Sequence, residues 1–450
     1  EDGYDLTDAG VDAAMAASAK VVVTCDCGTG AVAPIARLCG SGIDVIVTDH
    51  HLPSGDLPDC LAILNPKRIG DGYPDKDLAA VGVTFKLGIA LARELGASDN
   101  FVWAMLDLVA LATVADVAPL RGENRVFVRY GLKMLAETRN IGMRALLRAS
   151  GLDGKQLTAG RIGFILAPRL NAAGRLGHAI RGVELLLTDD EHQANIIARE
   201  LEELNQRRQD IDRATLEQAR ERVLAMDLDE MFSIVLADDN WHPGVIGIVA
   251  SRLVEEFGRP AVLIALSGDH GKGSGRSIPK FDLHGALGKA KDLLLRYGGH
   301  RVAAGVTIAR DMVPEFAARF NEIAHSVLTP ADLVPEIRVD LEVSIEGMDG
   351  RLESLFRHFE PFGIGNPTPV LLARNVMIAR PPRAVGKDGL KLVLDTGTGS
   401  LDAIGWGLAG RAAEFQPGAK VDVAFRLERD DYRGESYLQA RVADIRVSES

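Results

Sequence analysis

No apolar run in this 450-residue sequence approaches the length of a membrane span. Its start, Glu1-Asp2-Gly3-Tyr4-Asp5, has neither the basic nor the apolar region of a signal peptide. The chain is therefore expected in the cytoplasm, with no membrane partner. Cysteine is scarce: Cys25, Cys27, Cys39 and Cys60 contain no Cys-x-x-Cys pair, which argues against a disulfide framework or a zinc knuckle and for buried, reduced thiols. Positive charge is also in deficit. The formal net charge is −12, which counts against a nucleic-acid binder clad in basic residues, so the distribution of charge matters more than its sum.

That distribution is uneven. Arg161, Arg169, Arg175 and Arg181 fall in a window with no acidic residue, and residues 259–301 hold eight basic residues against Asp269, Asp282 and Asp292. The pattern is compatible with a basic channel in an acidic chain, and equally with ordinary solvated faces. With 47% hydrophobic and 25% charged residues the chain is globular, and its length predicts two to four domains.

The most informative stretch is Gly42 to Pro53. The run Asp44-Val45-Ile46-Val47-Thr48 reads as a buried strand and ends in Asp49-His50-His51. One strand earlier, Val21-Val22-Val23-Thr24 runs into Cys25-Asp26-Cys27-Gly28. The intervening segment, with Pro34 near its start and Gly40 just past its end, reads as a helix. A right-handed βαβ unit brings Asp26 and Asp49-His50-His51 to one sheet edge, where ligands of open α/β sheets gather. Two carboxylates and two imidazoles suit a divalent ion such as manganese, magnesium or zinc. A lone Asp at a strand end is often only a turn former; an adjacent His-His pair is harder to read that way.

Thr48-Asp49-His50-His51 resembles the signature of the DHH phosphoesterase superfamily, and the rest of the chain resembles its RecJ branch, exonucleases that digest single-stranded DNA from the 5′ end. In that branch an Asp-x-Asp motif on an earlier strand supplies further ligands. No such strand precedes Gly3-Tyr4-Asp5-Leu6, so the chain reads as N-terminally incomplete, and either activity or its absence is compatible with that reading. The resemblance implies an α/β fold in four parts: a parallel-sheet domain over 1–187, a connecting helix over 188–228, a smaller α/β domain over 229–330, and an OB-like β-barrel over 331–450.

Downstream, the spacing Leu106, Val109, Ala110, Thr113, Val117 predicts a buried helix that delivers Asp116 at its end, either as a cap or as a metal ligand. Ala112 to Leu120 with Glu123-Asn124-Arg125 resembles the family's next metal motif, which favours the ligand. Asn65-Pro66-Lys67 reads as surface loop. Residues 126–187 read as helical, interrupted at Ala167 to Leu176, where small residues permit close backbone approach and Arg169 and Arg175 offer forked donors. Thr188 to Met226 reads as one long helix with Thr188 and Glu191 at capping-box spacing. Its Gln206 and Arg207 face solvent or, as in the family, a cleft. Gly271 to Ser277 reads as a glycine-rich loop able to curl around an anion. Glu336 to Val343 alternates polar and apolar, as a half-buried strand does, and five or so short strands follow. Exposed aromatics on such a barrel can stack bases; Trp406, Tyr432 and Tyr437 are favoured over Phe356, Phe359 and Phe362, whose spacing suits a core.

The resemblance implies phosphodiester hydrolysis with two Mn²⁺ or Mg²⁺ ions. Asp26, His50 and Asp116 would be ligands; Asp49 would ligate or orient; His51 would contact the scissile phosphate or protonate the leaving group. Arg169, Asn171, Arg175, Gln206, Arg207, Ser274, Gly275, Arg276, Ser277, Gly299 and His300 would bind substrate, with Ser274 and Arg276 on the terminal phosphate. Products would be 5′-mononucleotides, with duplex excluded by a narrow cleft. The expected partners are single-stranded DNA with a 5′ end, a helicase and a single-strand-binding protein, the chain itself being a monomer. The alternatives are a nanoRNase or cyclic-dinucleotide phosphodiesterase, which lacks the barrel; a manganese pyrophosphatase, which lacks the Gly-Gly-His domain; and a non-catalytic DNA-binding scaffold.

Overall fold

A computed structural model of the chain describes residues 5–53, 55–430 and 437–448. They form two units, residues 1–167 with 337–450 and residues 168–336. Among the described residues no helix is long and apolar enough to cross a membrane.

The first unit opens with α1 (Asp8–Ala16), β1 (Val21–Cys25), α2 (Val32–Gly40), β2 (Asp44–Thr48) and β3 (Ala62–Leu64). The three strands pair in parallel in the order β1-β2-β3, with Val21 opposite Asp44 and Ile46 opposite Ala62. Ile35 and Leu38 of α2 are fully buried against Val45 and Val47, as expected of a crossover helix covering a sheet. The four cysteines are free thiols, but they are not buried: Cys25 is exposed, and the other three are half-buried at the margins of this core. Helices α3 (Ala80–Glu94), α4 (Asn100–Trp103), α5 (Leu106–Ala115), α6 (Gly122–Ala136), α7 (Ile141–Ala149) and the short α8 (Ala159–Arg161) follow. On α5 the buried residues run round the helix and include Asp107, whose Oδ2 accepts 2.6 Å from Thr138 Oγ1. A buried carboxylate is tolerated there because it is hydrogen-bonded.

The same unit contains the C-terminal barrel. Residues 358–366 lie against α6: Arg125 and Arg129 donate to the carbonyls of His358, Phe359 and Glu360, and Leu120 N donates 2.6 Å to Ile364 O. The predicted strand over Glu336 to Val343 shrinks to β9 (Leu341–Glu342), which is exposed and lies at the sheet edge. Alternation there gives no buried face, because Ile337 and Leu341 are themselves exposed. Helix α15 (Gly350–Phe356), numbered in chain order after the helices of the second unit, precedes the barrel. The strands β10 (Leu371–Met377), β11 (Arg383–Val385), β12 (Gly389–Asp395), β13 (Ser400–Gly405), β14 (Lys420–Asp430) and β15 (Tyr437–Val447) run in the sheet order β11-β12-β13-β15-β14-β10-β9. Ile378 pairs with Leu394, and Ala379 N donates to Val393 O, so the end of β10 closes onto β12. Five strands thus form a closed barrel around Phe415, Phe425, Leu392 and Leu394. Trp406 and Tyr437 are about half exposed, as is Phe359. Phe356 packs on the barrel core, and Tyr432 lies outside the described residues.

The segment expected to interrupt the helices is itself helical: α8 runs through a π-turn at 162–166 into α9 (Ala167–Leu176), and Pro168, which lacks an N–H, follows directly after the irregular turn. After α10 (Ile180–Leu187), the long α11 spans Glu191–Leu224. Its cap is Asp190, which accepts from His192 N and Gln193 N; Thr188, expected to cap, instead accepts from Asp190 N. Then come β4 (Ile234–Asp238), α12 (Ile246–Phe257), β5 (Ala261–Ser267), β6 (His270–Arg276), α13 (Leu283–Lys289), β7 (Arg296–Gly299), β8 (Ala303–Ala309) and α14 (Val313–His325).

The glycine-rich stretch is not a loop. It is β6, paired antiparallel with β5 and β8 inside a sheet of order β4-β5-β6-β8-β7. Glycine recurs at every second position because that face has no room. A Cβ at Gly271 would come 2.5 Å from Ile264 Cγ2, at Gly273 2.5 Å from Val306 Cγ2, and at Gly275 3.0 Å from Leu283 Cδ2. Gly273→Ala should therefore overpack the sheet and cost about 1–3 kcal/mol. In thermal unfolding its midpoint should fall clearly, whereas Gly40→Ala, where a Cβ meets nothing within 4 Å, should stay near the parent value.

Candidate functional site

Asp26 continues β1 past its last residue, and its N–H donates 2.9 Å to Thr48 O. Its backbone then turns into the left-handed region, φ +64, and Gly28 follows at φ +107, where a side chain would be strained. This turn stops the strand and sets the Asp26 carboxylate beside the end of β2. There Asp49 is 1% exposed and acts as a hub. Its Oδ1 accepts from His50 N at 2.8 Å, His51 N at 3.2 Å and His51 Nδ1 at 2.7 Å, and its Oδ2 accepts from Thr29 N at 3.0 Å.

His50 Nε2 lies 3.3 Å from Asp26 Oδ1 and 3.2 Å from Asp116 Oδ2; His51 Nδ1 lies 3.9 Å from Asp26 Oδ1. Asp116 caps the C-terminus of α5, and Val117 behind it is at φ +60. The helix thus delivers its carboxylate to the sheet edge, as the apolar spacing predicts. The ligand atoms of Asp26, His50 and His51 lie within 4.8 Å of one another, so His51 shares the cluster with two of the three expected ligands.

The electrostatics fit a cation. Burial pushes the Asp116 carboxyl upward; His50 opposes this and Asp26 adds to it. Burial also acts to raise Asp49, yet the hydrogen bonds from His51 and Thr29 outweigh it and hold the carboxyl well below the ordinary range. Reciprocally, the hydrogen bond to Asp49 raises His51. Burial, reinforced by Asp5, Asp49 and Asp26, pushes the Cys27 thiol up to about 11. Asp116 lies outside that tight group, but Asp26 and Asp116 each come within 3.3 Å of His50 Nε2, a donor set for a divalent ion whose charge would relieve the repulsion between the two carboxylates. Beside them, Ala79, Ala80, Val81, Thr84 and Ala112 wall a recess of about 230 Å³ that also touches Asp26 and Asp116.

Asn65, expected on a surface loop, is instead 1% exposed. Its Nδ2 donates to Thr29 Oγ1 at 3.0 Å and to His51 O at 2.8 Å, tying together two segments that hold Asp49 and His51. An Asn before Pro is ordinary loop punctuation, so its chemistry is visible only in three dimensions.

The second unit collects the residues expected on substrate. Arg276 Nη1 donates 3.0 Å to Ser274 Oγ and 2.8 Å to Gly275 O. Arg175 donates 2.8 Å to Gly244 O. Ser277 Oγ donates 2.9 Å to Phe281 O, a structural bond. Gly299 (φ +137) and His300 form the turn between β7 and β8, where His300 N donates 2.7 Å to Ala303 O. Two arginines of the acid-free window are paired from outside it: Arg169 with Glu202, and Arg181 with Glu184 and Glu200. Asn171 is exposed on α9. On α11, Gln206 and Arg207 are exposed, Gln206 bonding Asp210 on its own helix. Asn205 and Arg208, one position to either side of that pair, are buried instead.

Comparison with known proteins agrees with this division. Family models match as the DHH family N-terminal domain over residues 4–113, the DHHA1 domain over 229–326 and the RecJ OB domain over 339–444. The chain is 38% identical to the single-stranded-DNA-specific exonuclease RecJ of Salmonella typhimurium, over 99% of this chain and 80% of that protein. It is 37% identical to RecJ of Bacillus subtilis, over 96% of this chain and 54% of that protein. Among solved structures, RecJ of Thermus thermophilus in complex with Mn²⁺ superposes with a TM-score of 0.84 at 34% identity, covering 98% of this chain and 63% of that one. The chain thus spans about half the length of the Bacillus relative and four fifths of the Salmonella one. A histidine pair seated on a buried aspartate, three successive domain matches and identity over nearly all its residues place the chain in one family: it belongs to the RecJ family of DHH proteins.

Proposed function

We propose that this chain is a metal-dependent 5′→3′ exonuclease of single-stranded DNA that releases 5′-mononucleotides. The observation that carries this reading is the meeting of Asp26, His50 and Asp116 at the sheet edge, beside a His51 whose ring is fixed by buried Asp49. Asp26, His50 and Asp116 hold the divalent ion, Mn²⁺ or Mg²⁺, of which the family site takes two. When bound, such ions lower the pKa of water and neutralise charge on the phosphodiester.

Within this reading the residues divide the work. Asp49 is a positioning residue: all its hydrogen bonds go to protein, and they orient both histidines. His51 holds its proton to higher pH than a free imidazole, which suits it to deliver that proton to the leaving oxygen. Ser274 and Arg276, with Arg175, take the 5′-terminal phosphate. Exposed Trp406 and Tyr437 give the barrel surfaces on which bases stack. The domain division 1–187, 188–228, 229–330 and 331–450 belongs to the same proposal. So do delivery of substrate by a helicase and a single-strand-binding protein, the monomeric state and the cytoplasmic location.

The test is release of mononucleotides from a 5′-phosphorylated single strand in Mn²⁺. Release should stop with a chelator and resume on adding Mn²⁺. Changing a residue that merely supports a metal ligand lowers affinity or activity about 10–100-fold, so His50→Ala should lower release by at least about 100-fold. Release indifferent to His50→Ala would sink the reading. Asp49→Asn, which leaves the ligands but removes the charge behind His51, should lower kcat about 10–100-fold with little change in affinity for the strand.

A further inference from the structure

On α11, Asn205, Arg208 and Asp212 recur at i, i+3 and i+7 and share one face. All three are at most 9% exposed. Asp212 Oδ2 lies 3.0 Å from Arg252 Nη2 of α12, and Arg208 and Arg175 also face it. Arg175 in turn neighbours Arg276, which reaches Ser274. Three guanidinium groups therefore face one carboxylate, and a fourth, Arg276, neighbours them through Arg175. A fifth, Arg169, is paired with Glu202.

Two observations show that this cluster is not a closed ion-pair network. Asp212 Oδ1 and Asn205 Nδ2 are buried and have no hydrogen-bond partner, and the residues are 2% and 1% exposed. Buried polar atoms are nearly always satisfied; Asn205 Nδ2 is a donor open to an acceptor, whereas Asp212 Oδ1 is an acceptor whose charge opposes an anion beside it. The α12 backbone packs closely on the same pair: a Cβ on Gly247, in the first turn of α12, would come 2.8 Å from Ser274 Oγ and 3.0 Å from Arg276 Nη2. Burial lowers the pKa of Arg208 and Arg276, and neighbouring arginines add to it.

We propose that Asp212 is a positioning residue and built-in counter-charge: it holds Arg252, Arg208 and Arg175 beside the Ser274 and Arg276 grip in the free chain, and competes with phosphate for them. This rests on the reading of Ser274 and Arg276 as the phosphate grip. Asp212 stabilises the free chain and weakens phosphate binding, which lets a mononucleotide product leave. Removing its charge while keeping its shape should do the reverse on both counts.

The experiment is a thermal-shift titration of the whole chain with inorganic phosphate, which needs no nuclease activity. Asp212→Asn should melt lower than the parent without phosphate and gain more from phosphate. Couplings between binding groups are typically about 5–150-fold, and here the apparent Kd should tighten about tenfold. Asp212→Glu should restore parent behaviour, and Arg276→Ala should remove the phosphate response from parent and variant alike. An equal or weaker response in Asp212→Asn overturns the counter-charge role. A response that survives Arg276→Ala shows that the underlying phosphate grip is wrong. Should Asp212→Asn not fold, Arg252→Gln, at a half-exposed position, decides: it should weaken phosphate binding several-fold, and no change overturns the proposal.

Discussion

The geometry of the sheet edge depends on one buried carboxylate. Asp49 is almost wholly enclosed, yet it remains charged because four N–H groups converge on its two oxygens. An ionised carboxylate in such a setting is costly unless fully hydrogen-bonded, so the surrounding backbone must hold its shape. The turn at Asp26 and Gly28, the Thr29 amide and the Asn65 amide bridge supply that shape. The two imidazoles are consequences of it: once Asp49 fixes the backbone of both and the ring of His51, His50 faces Asp26 and Asp116.

The loop after Asp116 shows how far this constraint extends within its unit. Asp116 caps α5, Val117 takes a left-handed turn, and Leu120 then hydrogen-bonds Ile364 of the segment leading into the barrel. Arg125 and Arg129 hold three more carbonyls of that segment. The barrel is thereby tied through backbone hydrogen bonds to the loop that carries a proposed metal ligand. Stretches more than two hundred residues apart in sequence share one local geometry.

The second unit solves a different electrostatic problem. Its arginines could not be ranked from charge counts, because their neutralising partners come from other helices: Glu202 and Glu200 lie on α11, remote from the acid-free window that holds Arg169 and Arg181. What distinguishes Arg175, Arg208, Arg252 and Arg276 is that they share Asp212, directly or through one another. The result is a local excess of positive charge in a chain whose net charge is −12.

What the sequence determined by itself was whatever follows from local periodicity and chain direction. Short Val/Ile runs ending in Asp26 and in Asp49-His50-His51 imply parallel strands with polar tips on one edge. The apolar spacing over Leu106 to Val117 puts Asp116 at a helix end, and the five or so short strands that follow Val343 suggest the barrel. Tertiary structure alone decided the rest, because it turns on neighbours distant in sequence. Gly271, Gly273 and Gly275 suggest a flexible loop until Ile264, Val306 and Leu283 are seen to occupy the space of their side chains, which makes the segment a central strand. Glu336 to Val343 alternates as a strand does, but Ile337 and Leu341 stay exposed on its apolar side, and only two residues pair. Asn65 and Asp212 carry no local signal at all: their roles come from the groups that folding brings within hydrogen-bond or ion-pair reach.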